Sequence, residues 1–225
     1  MNAALPKQYL CVESKTLLEH AIEVFVSHPK ISEIVVCLHA DDKRFDELAI
    51  AKHAKVTSVI GGASRAESVL QGLQYLKQYS KNQIVLVHDA ARPGLTHMAL
   101  NRLLACSGEC NSAILALPVV DTIKQATKSI ESLDKTAISE RVVECTLDRA
   151  RLYMAQTPQM FDIQELFTAI NTGLHNAENI TDEASAIELM GGKVRLIEGE
   201  TCNLKVTRPE DLEIMRFYFA QRKTQ

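Results

Sequence analysis

Three short stretches hold polar residues where a fold could turn them toward one ligand. The first is His88-Asp89-Ala90-Ala91-Arg92-Pro93, which directly follows the apolar run Ile84-Val85-Leu86-Val87. Such a β-branched run suits a strand buried on both faces of a parallel sheet. Ligands of open α/β sheets sit beyond the carboxyl ends of the strands, so Asp89 stands where a ligand is handled. Ala90 and Ala91 leave room for a ligand to approach the backbone. A plainer reading has Asp89 capping a turn and Arg92 in a surface ion pair, and the stretch alone does not separate the two. His88 reads as a hydrogen-bonded core histidine rather than a base.

The second stretch is Gly61-Gly62-Ala63-Ser64-Arg65-Ala66-Glu67-Ser68, a strand end, a turn and a helix start. Ser64 and Glu67 have capping-box spacing, and free N–H groups at such a start can hold an anion or a base edge. A plain capped helix explains Ser64 and Glu67 but leaves Arg65 and Ser68 without a task. The third is Asn203-Leu204-Lys205-Val206, which reads as a late strand with Leu204 and Val206 on one face and Asn203 and Lys205 on the other. A lysine there is unexpected, because both faces of such a sheet tend to be covered. Lys7 near the terminus and Arg149 after Asp148 are unremarkable alone. There is no Ser-His-Asp order and no HExxH, so covalent hydrolase chemistry has no support.

The elements that must position these residues alternate. Helices are predicted over 15–28, 41–52, 64–78, 98–106 and 163–176, with a last one from Thr207 capped by Glu210. Strands are predicted over 34–38, 56–60, 84–87, 113–117, 193–197 and 203–206. Thr181 is the expected N-cap of a further helix, with acids in its first turn. This alternation predicts an α/β, doubly wound, mostly parallel sheet. Residues 119–153 break the rhythm with two strand-like pieces, 122–127 and 141–147. We read them as a β-hairpin arm. An isolated two-stranded ribbon is marginal in water, so the arm packs on a second subunit or folds back on its own domain. Its tip, about 128–140, reads as solvated.

The 225 residues are 46% apolar and 24% charged with a formal charge of -3, which suits one large domain with that arm. No run approaches the roughly 20 apolar residues that span a bilayer. The absence of a basic tract argues against a nucleic-acid surface. Six cysteines without CxxC or zinc-ligand spacing read as idle thiols of a reducing cytoplasm; no metal ligand set is predicted.

PKQYL, GGASRAESVLQGL, VHDAARP, DTIK, TPQMF, TDEASAIE and NLKVTRPEDL occur in this order over nearly the whole chain. Together they resemble the 2-C-methyl-D-erythritol 4-phosphate cytidylyltransferases. The ribitol-5-phosphate cytidylyltransferases share PKQ and a similar HDA-RP stretch but match TDEASAIE less well. The resemblance implies a nucleotide-diphospho-sugar-transferase fold. It also implies reaction of CTP with methylerythritol phosphate, aided by Mg²⁺ carried on the CTP phosphates rather than in a protein cage. It assigns catalysis to Lys7, Arg149 and Lys205, the alcohol phosphate pocket to Asp89, Arg92, Thr122, Thr157 and Thr181, and the cytidine to Gly62, Arg65, Ser68 and Ala90. Arg149 and Thr122 lie on the arm, so the resemblance implies a homodimer in which they serve the neighbouring site.

The family also has a strand and a glycine-rich loop ending in arginine just before PKQYL, and here Met1 stands about where that arginine is passed. The expectation is a gap of about 10 Å, twice the strand spacing, between two strands of the sheet. Three explanations stand: a natural start upstream of Met1, a degraded copy that dimerises without catalysis, or another segment in the gap. The first predicts that an upstream-extended chain is more stable and more active than this one.

Overall fold

The computed structural model describes residues 5–79, 83–108, 110–127 and 142–222. A short antiparallel pair, β1 (Cys11–Val12) and β2 (Lys15–Thr16), leads into α1 (Leu17–Val26). Thr16 and Glu19 close a full capping box at its start, which fixes where the helix begins. Leu17, Leu18, Ala21, Ile22 and Phe25 form its buried stripe, at the spacing an amphipathic helix requires.

Next come the parallel strands β3 (Ile34–Leu38) and β4 (Val56–Ile60), then α2 (Arg65–Tyr79), β5 (Ile84–Val87), α3 (His97–Ala105) and β6 (Ser112–Pro118). The arm follows as β7 (Lys124–Ala126) and β8 (Val143–Thr146), and β9 (Tyr153–Asp162) returns to the body. Helices α4 (Ile163–His175) and α5 (Glu183–Leu189), strand β10 (Arg195–Glu198) and helix α6 (Pro209–Arg222) complete the chain.

The larger sheet has the order β10-β6-β9-β5. β6 and β10 are parallel, whereas β9 runs antiparallel to both β5 and β6. One apolar cluster lies between this sheet and α2, α4 and α5, with Leu73, Phe161, Leu166 and Ile170 at its centre. A second lies toward α1 and α3, around Leu100, Leu103, Leu115 and Met160. The α/β class with helices on both faces is as expected.

β3 pairs with β4 and β5 with β9; among the described residues no strand joins β3 to β5. A cleft of about 720 Å³ runs between them, walled by residues such as Val35, Cys37, Val85 and Val87 and by α1 and α2 residues such as Ile22 and Leu73. The gap expected in the sheet is therefore present, and no described strand fills it.

Several local expectations are corrected. Residues 41–52 form two 3-10 turns, Phe45–Glu47 and Ala49–Lys52, not one helix. Phe45 is buried under them, and Asp42 accepts the N–H groups of Arg44 and Phe45, closing the turn instead of opening a helix. TPQMF lies within the ten-residue β9, an antiparallel strand missing from the expected alternation. NLKV is not a strand: Asn203 and Val206 are both buried, and Val206 N–H donates to the Ala91 carbonyl at 2.8 Å. The N-cap of α5 is Asp182, paired with Ser185, not Thr181. At α6 it is Asp211, not Glu210, that accepts the Thr207 and Arg208 N–H groups, at 2.7 and 2.8 Å.

In the arm, β7 and β8 pair only with each other and every residue in them is exposed. The described strands of the arm thus do not lie back on the body. The arm tip at 128–140 falls outside the described residues.

Candidate active site

Asp89 lies just past the end of β5, its side chain 13% exposed, with three cations around it. Lys205 Nζ is 2.9 Å from Oδ2. Arg65 donates to Oδ1 from Nε at 3.2 Å and Nη2 at 3.1 Å. Arg92 Nε stands 3.7 Å from Oδ2. Burial opposes ionisation of Asp89, but Lys205 and Arg65 outweigh it and hold the carboxyl at about 2. Each cation arrives from a different element: Arg65 from the start of α2, Arg92 from the loop after β5, and Lys205 from the segment before α6.

The loop that carries Asp89 and Arg92 is anchored by His88. His88 Nε2 lies 3.1 Å from the Arg92 carbonyl, which can only accept, so Nε2 carries the proton. Nδ1 lies 2.9 Å from the Thr157 hydroxyl oxygen, and in the neutral ring it accepts that hydroxyl's hydrogen bond. Thr157 Oγ1 in turn accepts the Asp89 N–H at 3.1 Å. In the neutral ring every group of this chain has a partner, and burial favours that neutral form of the imidazole. Burial, opposed by the Arg92 carbonyl, accordingly lowers its pKa to about 4. The reading of His88 as a core histidine holds, and Thr157, from β9, gains a task there.

β9 supplies further buried polar groups. Arg92 donates to the Asn203 carbonyl at 2.8 Å and the Ala155 carbonyl at 3.3 Å. Asn203 Nδ2 donates to the Thr157 carbonyl at 2.7 Å. This ties the Lys205 segment to β9 through side chains, which substitutes for the strand pairing expected of NLKV. Gln159 donates to Asp182 at 2.8 Å and accepts the Ala184 N–H at 2.9 Å, pinning the start of α5 beside the site.

On the α2 side, Ser64 and Glu67 form the expected capping box: Ser64 N–H donates to the carboxylate at 3.0 Å and Glu67 N–H to the hydroxyl at 3.2 Å. Ser68 closes the same turn, accepting the Gly62 N–H at 3.1 Å and donating to the Ser64 carbonyl at 2.9 Å. A Cβ on Gly62 would lie 2.3 Å from Glu67 Cβ, so the folded-over cap requires glycine there.

The structure therefore joins Asp89, Arg92, Arg65, Lys205 and Thr157 by direct bonds. Lys7, Ser68 and Ala90 line the same cleft as Arg65, Asp89 and Lys205, and Gly62 is bonded to Ser68. Thr181 lies beside the start of α5, exposed, its N–H donated to Ser185 Oγ at 3.0 Å. Thr122 and Arg149 are not part of this group. Both are exposed on the arm, where the Arg149 guanidinium donates to the Val120 carbonyl. Sequence reasoning missed Gln156, Gln159, Asn203 and Glu183, all buried polar groups around the site. In Gln156-Thr157-Pro158-Gln159-Met160 polar and apolar residues do not alternate, so this stretch carried no strand signal for Gln156 and Gln159.

Known proteins resemble the chain over nearly its whole length. The family described as IspD: 2-C-methyl-D-erythritol 4-phosphate cytidylyltransferase matches residues 1–221. A protein of that name from Haemophilus influenzae is 45% identical over 223 residues, 99% of this chain and 92% of that protein. One from Aliivibrio fischeri is 43% identical over 224 residues, with 99% and 90% covered. Among solved structures, a 4-diphosphocytidyl-2C-methyl-D-erythritol synthase superimposes with a TM-score of 0.80 at 37% identity, covering 95% of this chain and 94% of that one. The Francisella tularensis 2-C-methyl-D-erythritol 4-phosphate cytidylyltransferase gives 0.78 at 29%, covering 95% and 93%.

Proposed function

The chain belongs to the 2-C-methyl-D-erythritol 4-phosphate cytidylyltransferase family, and we propose from that premise how its residues carry out the reaction. CTP and methylerythritol phosphate give the CDP-alcohol and pyrophosphate, a cytidylyl transfer in isoprenoid precursor synthesis. An oxygen of the alcohol's phosphate attacks the α-phosphorus in line, a P–O bond forms, and the bond to pyrophosphate breaks on the opposite side. No covalent enzyme intermediate is required, so the protein contributes positioning and charge neutralisation.

The observation that carries this reading is the cationic cluster around Asp89. Arg65, Arg92 and Lys205 outnumber Asp89 and the buried Glu183, which leaves net positive charge for an anionic substrate. Lys205 holds the attacking phosphate. Asp89 and Arg92 hold the alcohol, with Thr157 and Thr181 beside them. Asp89, kept ionised far below neutral pH, accepts hydroxyl protons throughout the working range. Lys7, exposed and lining the cleft, neutralises charge on the triphosphate. The Gly62 turn, Ser68, Arg65 and Ala90 form the cytidine side.

Mg²⁺ would be held by the triphosphate oxygens, the hard ligands it takes; the nearby Asp89 carboxylate is already engaged by Arg65 and Lys205. When bound, it would supply neutralisation of the charge on the leaving pyrophosphate. The arm, at about 119–153, binds a second copy, and Arg149 and Thr122 complete the partner's site. Its wholly exposed strands support this, as do the exposed Val120, Val142 and Val143, because an uncovered ribbon of this size is marginal. No described helix is long and apolar enough to cross a membrane, and the cytoplasm is the proposed location.

The test is product identity: incubation with CTP, Mg²⁺ and methylerythritol phosphate should yield the CDP-alcohol by mass spectrometry, and UTP or ATP in place of CTP should yield far less. Equal yields from all three nucleotides would overturn the assignment of the Gly62 turn to cytidine.

A further inference from the structure

Glu183 is a charged residue that the reaction as described does not use. It lies in the first turn of α5 with its side chain 1% exposed. A carboxylate so deep is costly unless fully paired, and its partner is Arg65, 118 residues earlier in the chain. Arg65 Nη1 donates to Oε1 at 2.7 Å and Nη2 to Oε2 at 2.9 Å, a two-pronged pair of the kind that fixes orientation as well as distance.

The same guanidinium makes two further bonds to Asp89, from Nε and Nη2. Four of its five N–H groups are thus committed, two to each carboxylate. Arg65 cannot turn without breaking both pairs. Asp89 Oδ1 is held by Arg65, which leaves Oδ2 turned toward Lys205 at 2.9 Å. The run Glu183–Arg65–Asp89–Lys205 therefore joins α5, α2, the loop after β5 and the segment before α6.

We propose that Glu183 is a positioning residue for the transfer: it clamps Arg65 from behind and so sets the orientation of Asp89 and Lys205 toward the substrates. Being buried, it touches neither substrate. The proposal rests on the cytidylyl-transfer reading for its effect on rate. A Glu183 that merely tied α2 to α5 would affect stability and leave the kinetics of folded enzyme unchanged.

The experiment compares the parent chain with Glu183→Gln, Arg65→Gln and the double variant. It reads melting temperature, kcat and KM for each substrate, and exchange of the Arg65 Nε–H by NMR. In folded Glu183→Gln, the Nε–H should exchange at least about 10-fold faster. Turnover should drop so that kcat/KM falls about 30-fold, as loss of positioning predicts. In the Arg65→Gln background the same change should alter kcat/KM less than about 2-fold, because its route of action is already gone. A folded Glu183→Gln enzyme with kcat/KM near the parent's, or an equal loss in both backgrounds, would overturn the proposal. If Glu183→Gln does not fold, Glu183→Asp keeps the charge but shortens its reach. It should give faster Nε–H exchange and a smaller loss in kcat/KM, and parental values of both would be fatal. A parent that forms no product refutes the proposed function instead, and the Nε–H comparison then decides the clamp alone.

Discussion

At the scale of single residues, the site is a set of charges and protons whose states are fixed by what surrounds them. Asp89 sits among Arg65, Arg92 and Lys205 and stays ionised. His88, one residue earlier, is kept neutral by its burial, with its nitrogens bonded to the Arg92 carbonyl and the Thr157 hydroxyl. The pKa of His88 is about 4 in the fold and about 6.5 in an unfolded chain. Between these values the unfolded chain binds the proton more tightly, so stability present above pH 6.5 is lost as pH falls toward 4. The loss from this group between pH 7 and pH 4.5 is about 2.5 kcal/mol. In urea titrations, His88→Gln should show a drop between those two pH values smaller than the parent's by about that amount. Identical drops would mean that His88 is not held neutral.

At the scale of elements, the turn before α2 and the arm each make a separate prediction. Gly62→Ala drives a methyl group into Glu67, so the Ser64–Glu67 cap must open. The expected cost is about 1 kcal/mol of stability, with a raised KM for CTP and little change in KM for methylerythritol phosphate. Equal changes in both KM values would place the turn away from the nucleotide. The arm predicts complementation. Asp89→Asn and Arg149→Ala should each be nearly inactive, yet mixing and reassociating them should recover about a quarter of parental turnover. Random pairing makes half the dimers mixed, with one of two sites intact in each. No recovery would place Arg149 in its own subunit's site. The elements also mark where sequence reading stopped. β3 to β6 and α1 to α4 were legible because apolar period and capping residues agree there. β9 was not, since its buried Gln156, Thr157 and Gln159 look like loop residues until β5 and β6 flank them. Lys205 was flagged for a strand that does not exist, yet it stands beside Asp89 because Asn203 holds its segment to β9. Asp211 and Asp182 displaced the expected caps by one residue each, a choice that cap spacing alone does not decide.

At the scale of the whole molecule, the sheet is divided. β3 and β4 stand apart from β10-β6-β9-β5 across the cleft between β3 and β5, and Lys7, Arg65, Asp89 and Lys205 all line that cleft. Sequence showed the elements around the gap and much of the polar set, whereas the bonds that join Arg65, Asp89 and Glu183 depend on contacts between residues up to 118 positions apart. This arrangement transfers a cytidylyl group to methylerythritol phosphate. Pyrophosphate release from CTP, with Mg²⁺ and this 225-residue chain, tests it most directly. Release should require methylerythritol phosphate and be far slower with ribitol 5-phosphate. A folded sample that releases no pyrophosphate, or releases it equally well with ribitol 5-phosphate, would contradict it.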